Sequence, residues 1–269
     1  MMIEKTEQQE IRDLLIEHMK TLTYPMDSWL EDKVSKCDLY QLFREGNVAG
    51  YTGLIKETIH FFYVKKEQYR YAAQMLEQTI EELGVERVFV MTQDPLISAL
   101  VAEWDYEKEK VGCWFIDSGI VERQETLVDH AVFRPATPED DPLIHEICGN
   151  FFDDSIGTIF VLEDRGEFLG AGIVEPSQFL PGLASIGMFA NPAFRRKGVA
   201  KRILLCLKDW VYENGMIPSA GCWYYNTLSR WSLESAGMIA TSIGFEAILK
   251  GKEKPPVRTG NPPGELVDW

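Results

Sequence analysis

The chain has 269 residues, 45% hydrophobic and 26% charged, a folded-protein composition long enough for two domains. Its formal net charge of −15 would repel a duplex, which argues against general nucleic-acid binding. Residues 1–130 carry 14 Lys or Arg against 25 Asp or Glu, and residues 131–269 carry 13 against 17, so the second half is the better home for an anion site. The cysteines at 37, 113, 148, 206 and 222 are odd in number and form no CxxC pair, which argues for reduced thiols over zinc or disulfides. The N-terminal MMIEKTEQQEIRDLL is charged, and no apolar run approaches the roughly 20 residues that cross a bilayer. A cytoplasmic protein without a membrane partner is expected.

In chain order, CDLYQLFRE and NVAGYTGLIKE predict a hairpin around Gly46-Asn47, and TIHFFYVKK predicts an apolar strand. QYRYAAQMLEQTIEELG reads as a helix stopped by glycine, VERVFVMTQ as a strand, DPLISALVAEW as a short helix and KVGCWFID as a closing strand. A short extended piece at Ala131–Phe133 opens the second half, and Thr137-Pro138-Glu139-Asp140 starts a helix with Pro in its first turn. TIFVLED and FLGAGIVEP, split by Arg165-Gly166-Glu167, predict a second hairpin. LASIGMFAN is apolar enough for a strand buried on both faces. Apolar positions at Val199, Ala200, Ile203, Leu204, Leu207, Trp210 and Val211 predict a helix closed by Asn214-Gly215. SAGCWYYN is a strand, Thr227–Ala236 a helix closed by Gly237, and MIATSIGFEAILK a last strand or strand pair. The tail from 251 to 269 is rich in Pro and Gly and is expected to be irregular.

This alternation predicts an α/β fold on mixed sheets, and the two halves repeat one plan. Laying FYVKKEQYRYAAQML over FANPAFRRKGVAKRIL, at an offset of 127, puts Gln68 on Arg195, Tyr71 on Gly198 and Ala73 on Ala200. The expected division is residues 1–125 and 126–250, followed by the tail.

NPAFRRKGVAKRIL holds five basic residues at the start of a predicted helix in an acidic protein. A helix start exposes unpaired N–H groups and partial positive charge, which suit a phosphate. Gly198 carries no Cβ to obstruct the approach, and the amides from Arg196 to Lys201 could wrap a pyrophosphate as a nest. Arg195, Arg196, Lys197 and Lys201 add countercharge. Tyr71 at the equivalent turn of the first half should obstruct a phosphate, so only the second half keeps the loop.

The run Arg195-Arg196-Lys197-Gly198-Val199-Ala200 resembles the Arg/Gln-x-x-Gly-x-Gly/Ala signature of the GNAT superfamily of N-acetyltransferases. Asn226-Thr227-Leu228-Ser229, ending in Ala236-Gly237-Met238, resembles that family's later Asn-x-x-Ala/Ser … Gly-Phe segment. The resemblance covers about residues 131–250, and the degenerate first half is similar to GNAT-like domains. It implies two tandem GNAT-like domains, each a mixed, mostly antiparallel sheet flanked by helices. It also implies acetyl-CoA as cosubstrate, its pyrophosphate on the 196–201 amides and its pantetheine arm along the strand 184–190, near Met188 and Ala190. Asn226 and Ser229 would lie beside that arm. The strand would splay from SAGCWYYN at a bulge that Gly187 permits.

By the same analogy a neutral amine attacks the thioester directly, with a backbone N–H around Met188–Phe189 receiving the oxyanion. Many members place a Tyr seven residues after the Asn, where this chain has Leu233. Tyr224, Tyr225 and Ser232 are the nearest replacements as acid, and Glu175, Asp153 and Asp154 are candidate bases. Asn226 doubles as a helix N-cap, Trp210 and Trp231 read as core, Cys222 as a buried small apolar residue, and His130 and His145 form no metal pattern. The partners implied are a small-molecule amine and, at most, a second copy in a homodimer. A noncatalytic acyl-CoA-binding or metabolite-sensing protein is the alternative.

Overall fold

The computed structural model describes residues 1–120, 128–153 and 155–249, so the boundary expected near 125, Asp154 and the tail lie outside the described residues. The first half runs β1 (Met2–Thr6), α1 (Arg12–Thr21), α2 (Ser28–Lys36), β2 (Asp38–Arg44), β3 (Asn47–Ile55) and β4 (Thr58–Val64). A 3-10 turn at Lys66–Tyr71 leads to α3 (Ala72–Leu83), β5 (Arg87–Met91), α4 (Pro95–Ala102) and β6 (Lys108–Asp117). The second half runs β7 (Val132–Pro135), α5 (Asp141–Cys148), β8 (Thr158–Asp164), β9 (Glu167–Pro176) and β10 (Leu183–Ala190). It continues with α6 (Val199–Glu213), β11 (Ile217–Trp223), α7 (Thr227–Ser235) and β12 (Met238–Ile248).

The elements expected from residue 37 onward are present, and the last segment is one strand, not two. The first hairpin turns one residue earlier than expected, because Glu45 and Gly46 take the positive φ values (53° and 78°) that a tight two-residue turn needs. Arg165 and Gly166 do the same (52° and 82°) in the second. Three elements had no sequence expectation. β1 pairs with β2, α1 buries Leu14, Leu15, His18 and Met19 on one stripe, and α2 is capped by Asp27, whose carboxylate accepts from Leu30 N–H at 3.0 Å.

The twelve strands of the described residues form one sheet, in the order β1-β2-β3-β4-β5-β12-β6-β11-β10-β9-β8-β7. Under the offset of the two halves this order is a palindrome, with β6 and β12 exchanged between the halves. β12 lies between β5 and β6, and β6 lies against β11. The pairs are antiparallel except β4–β5 and β10–β11, which are joined through α3 and α6 as parallel crossovers require. Side chains alternate between faces. Phe62, Val64, Val88 and Val90 pack under α3 and α4, while Phe61, Tyr63, Phe89 and Met91 meet α1 and α2. In the second half Phe160, Leu162, Ala184, Ile186 and Ala220 pack against Ile203, Leu204 and Leu207 of α6, and Val161, Ala171 and Ile173 meet α5.

A buried ion pair joins the halves. Lys208 of α6 and Asp117 at the end of β6 lie 2.8 Å apart, each side chain 3% exposed. Lys208 Nζ also donates to Ala236 O at 2.8 Å, and Tyr212 OH donates to Asp117 at 2.7 Å. Burial alone would push the Asp117 carboxyl up, but these hydrogen bonds outweigh it and hold it below its ordinary value. A lowered carboxyl stabilises the fold above its unfolded pKa and loses that contribution as pH falls through the lowered value. Asp117→Asn is therefore expected to cost about 3 kcal/mol at pH 7, from urea unfolding, by stranding a buried ammonium. Asp117→Leu with Lys208→Met should recover most of the loss.

Candidate functional site

β10 and β11 are neighbours over three rungs only, Leu183–Ile217, Ala184–Pro218 and Ser185–Ser219. Beyond them β10 continues to Ala190 beside β9, and β11 continues to Trp223 beside β6. The two strands open as a V in mid-sheet. The bulge expected at Gly187 is absent, since the β10–β9 register is unbroken from Ala184 to Ala190. The V needs no kink in β10, because β11 departs with its other partner, β6.

The unbroken register fixes where the β10 backbone points. Leu183 O accepts from Ser177 N–H and Asn191 N–H donates to Leu169 O, so the odd-numbered residues face β9. Alternation then turns the N–H and C=O of Ile186, Met188 and Ala190 toward the side that β11 has left. Of the two residues expected to offer an oxyanion donor, Met188 aims its N–H into the V and Phe189 does not.

The basic loop continues from the end of β10. Asn191 caps the turn by accepting from Ala193 N–H at 3.0 Å. Arg196 and Gly198 both take left-handed φ values, 62° and 86°, and Gly198 is the N-cap of α6 with no side chain capping it. The first α6 bond runs from Arg202 N–H to Gly198 O, and the helix start at Val199 and Ala200 has no side-chain cap. Alternating handedness before a bare helix start is the geometry of an anion nest.

α7 closes the other side. Asn226 caps it by accepting from Ser229 N–H at 3.1 Å. A cavity of about 630 Å³ joins all of these parts. Met188, Phe189, Ala190, Arg195, Arg196, Gly198, Val199, Ala200, Lys201, Asn226, Ser229 and Ser232 of the sequence expectation line it, and Lys197 does not. The Lys197 ammonium lies over the Phe194 ring at 4.9 Å. At the equivalent place in the first half, Tyr71 is the N-cap of α3, with the Arg44 guanidinium 3.3 Å over its ring. That turn is occupied by the protein's own cation and ring.

A family profile described as "Acetyltransferase (GNAT) domain" matches residues 7–118, and one described as "Acetyltransferase (GNAT) family" matches residues 123–230. The chain belongs to the GNAT acetyltransferase family. Both halves are GNAT domains, and membership places the protein among acyl-CoA-dependent acetyltransferases in general. No curated protein matches the sequence. A GNAT-family acetyltransferase from Colwellia psychrerythraea superposes with a TM-score of 0.80 at 16% identity, covering 93% of this chain and all of that one. A tandem GNAT protein from the clavulanic acid biosynthesis pathway superposes at 0.61 and 12%, covering 94% and 99%. A GCN5-related N-acetyltransferase from Sphaerobacter thermophilus gives 0.58 and 12%, covering 92% and 95%. At these identities the likeness is one of fold.

The remaining catalytic candidates of this GNAT pair are placed less favourably. Ser232 lines the cavity, but its hydroxyl donates to Leu228 O at 2.8 Å. β11 ends at Trp223, so Tyr224 and Tyr225 lie on a turn and line neither this cavity nor the V. Tyr224 OH accepts from Lys110 Nζ at 2.9 Å, and Tyr225 is 61% exposed. Both carboxylate oxygens of Glu175 are engaged, by Ser28 Oγ at 2.6 Å and Ile156 N–H at 3.2 Å. Asp153 sits 3.8 Å from His145 on the surface, and Asp154 lies outside the described residues. Leu233, at the family's Tyr position, is buried against α6, one helical step from Ser232.

Trp231 is the clearest correction. Read as core from its spacing, it is 61% exposed and lines the cavity with Leu228, Ser235 and Phe151, none of which were expected there. Its place one residue before Ser232 on a helix whose N-cap lines the same cavity was the available signal. Trp210 does pack in the core, edge-on to Phe160 at 5.3 Å.

Gly198→Tyr, copying the first half, is expected to weaken acetyl-CoA binding at least tenfold in titration calorimetry. A tyrosine at that φ also costs about 1–2 kcal/mol of stability, so Gly198→Ala, with the same backbone strain and little bulk, is the control. It should retain more of the affinity.

Proposed function

We propose that the protein is an acetyl-CoA-dependent N-acetyltransferase that acetylates a primary amine of a small molecule by direct attack. Residues 126–250 carry the transfer, and residues 1–125 form a GNAT domain without a working phosphate loop. The observation that supports this best is continuity. The outward backbone groups of β10, the left-handed basic loop and the N-cap of α7 border one cavity.

Bound acetyl-CoA supplies an acetyl group already activated as a thioester. The amides of Val199, Ala200 and Lys201, with Arg195, Arg196 and Lys201 side chains, hold its diphosphate. Met188 and Ala190 offer the pantetheine amides a strand edge to pair with. Met188 N–H, fixed by the β10–β9 ladder, donates to the oxygen that becomes negative as the amine adds. Asn226 and Ser229 border the arm from α7. Ser232 keeps its proton on Leu228 O, so the proton lost from the amine is the simplest source for the leaving sulfur. The substrate is a small molecule, and the work is cytoplasmic, where five free cysteines stay reduced. Among the described residues, no helix is long and apolar enough to cross a membrane.

Acetyl-CoA at a hundredfold excess over its dissociation constant should add about 2.7 kcal/mol to folding stability. Thiol release, followed with a chromogenic thiol reagent, should then appear with at least one member of a panel of primary amines. No stabilisation and no release would overturn the proposal. Stabilisation without release from any amine would leave the noncatalytic acyl-CoA-binding reading in its place.

A further inference from the structure

A second cavity, of about 420 Å³, lies on the other face of the V. Along β11, Ala220 and Cys222 belong to the core under α6, so Gly221 and Trp223 face away from it. Trp114 of β6 likewise belongs to the core under α1 and α2. Asp27 and Trp29, at the start of α2, complete the walls, so both GNAT halves build this cavity. Its floor reaches the apex of the V. Gly221 follows the last β10–β11 rung by two residues, and Ser28 N–H donates to Ser185 Oγ of that rung at 2.7 Å.

Asp27 is 7% exposed and has one oxygen committed, Oδ1 to the Leu30 N–H. Oδ2 lies against Gly221, where a Cβ on any other residue would collide with it. Trp114 Nε1 is buried with no hydrogen-bond partner and stands 3.2 Å from the same Cβ position. A carboxylate oxygen outside the Leu30 bond and a buried indole N–H therefore converge at the point where the face opens into the V. Trp29 (48% exposed) and Trp223 (64% exposed) form the rest of the wall.

We propose that this cavity is the acceptor site, that it takes a monoamine carried on a compact aromatic or apolar body, and that Asp27 binds its ammonium and accepts its proton. The inference rests on the acetyltransferase reading above. Trp29 and Trp223 offer flat apolar area to such a substrate, and the exposed Trp223 ring a cation-attracting face. The anion count favours one positive charge. Glu31 is held by Ser177 Oγ and by Gln178 N–H at 2.8 Å, and Glu175 by Ser28 and Ile156, which leaves one carboxylate oxygen for the ligand. The volume is at the small end for ligand pockets and suits neither an aminoglycoside nor a polypeptide end.

The step balances. The ammonium gives a proton to Asp27, and the nitrogen lone pair attacks the thioester carbonyl carbon. The C–N bond forms, the C–S bond breaks, and the second proton of the nitrogen passes to the leaving sulfur. Asp27 then releases its proton to solvent. Burial raises the Asp27 carboxyl to about 6, against the hydrogen bond from Leu30 N–H and the nearby Trp114 N–H, which lower it, and nearby Glu175 and Glu31 raise it further. The other nearby groups are the Cys222 thiol, on the opposite face of β11 and pushed up to about 12 mainly by burial, and Lys33, whose ammonium lies 4.3 Å over Trp29. Asp27 is a carboxylate above about pH 6 and takes up its proton below it, so acceptance of the amine fails on the acid side.

The test uses the full chain with acetyl-CoA and compares phenethylamine, spermidine and glycinamide. Phenethylamine should give the highest kcat/KM, with an acid limb near pH 6. Asp27→Asn, which can still cap α2, should lose at least a hundredfold in kcat/KM and lose that limb, with acetyl-CoA affinity and thermal midpoint unchanged. Trp223→Ala should raise KM for phenethylamine about tenfold and change kcat little. Phenethylamine binding in the presence of CoA, read by tryptophan fluorescence, should be present in the wild type and absent in Asp27→Asn. Turnover that Asp27→Asn leaves unchanged, or that favours spermidine, overturns the acceptor assignment and spares the acetyltransferase reading. Binding that depends on Asp27, with no thiol released from any amine, overturns the transfer reading and keeps the site. The absence of both binding and turnover of phenethylamine overturns the assignment.

Discussion

The early parting of β10 and β11 is the constraint from which the site follows. A strand edge left open in the middle of a sheet strands backbone donors and acceptors, each costing about 1–3 kcal/mol if buried without a partner. Proteins normally close such an edge. Here it stays open over Ile186, Met188 and Ala190 because β10 is held by an unbroken ladder to β9 while β11 is held by β6. The opening is built into the pairing scheme, and a ligand that brings its own amides is the natural way to satisfy it.

The rest of the second half serves that opening. The basic loop starts where β10 stops, and its two left-handed residues line the same cavity as the open edge of β10. α7, capped by Asn226 three residues past the end of β11, forms the far wall. The first half has the same early divergence, with β4 and β5 paired only at Thr58–Arg87 and Ile59–Val88, but Tyr71 and Arg44 fill the turn equivalent to Gly198. It contributes instead through α2, which Ser28, Glu31 and Asp27 pin against β9, β10 and β11.

Local features were legible in the sequence. The offset of 127 that set Tyr71 on Gly198 pairs two helix N-caps, and eleven of the twelve residues assigned to the cofactor line one cavity. Glycine, charge and helical spacing are short-range signals, and their geometry is short-range too. What could not be read depends on distant contacts. Asp27 and Gly221 meet only after the two halves have docked, and nothing around either position advertises the other. Leu233 and Ser232 are neighbours on one helix, yet one points to the core and one to the cavity, a rotation that exact helix placement decides. The exchange of β6 and β12 is invisible for a related reason. Both are apolar antiparallel strands of similar length, so the sequence pattern suits either seat.

That exchange has a consequence for how the chain is made. On the ribosome the first half emerges with β5 lacking one of its two neighbours and β6 lacking both of its own. Each missing partner lies more than a hundred residues downstream, so the nascent domain is held unfinished until the last strand leaves the exit tunnel. A protein wired this way assembles its two lobes in a single late event, and nonsense or frameshift products that stop before β12 carry an open edge that invites aggregation.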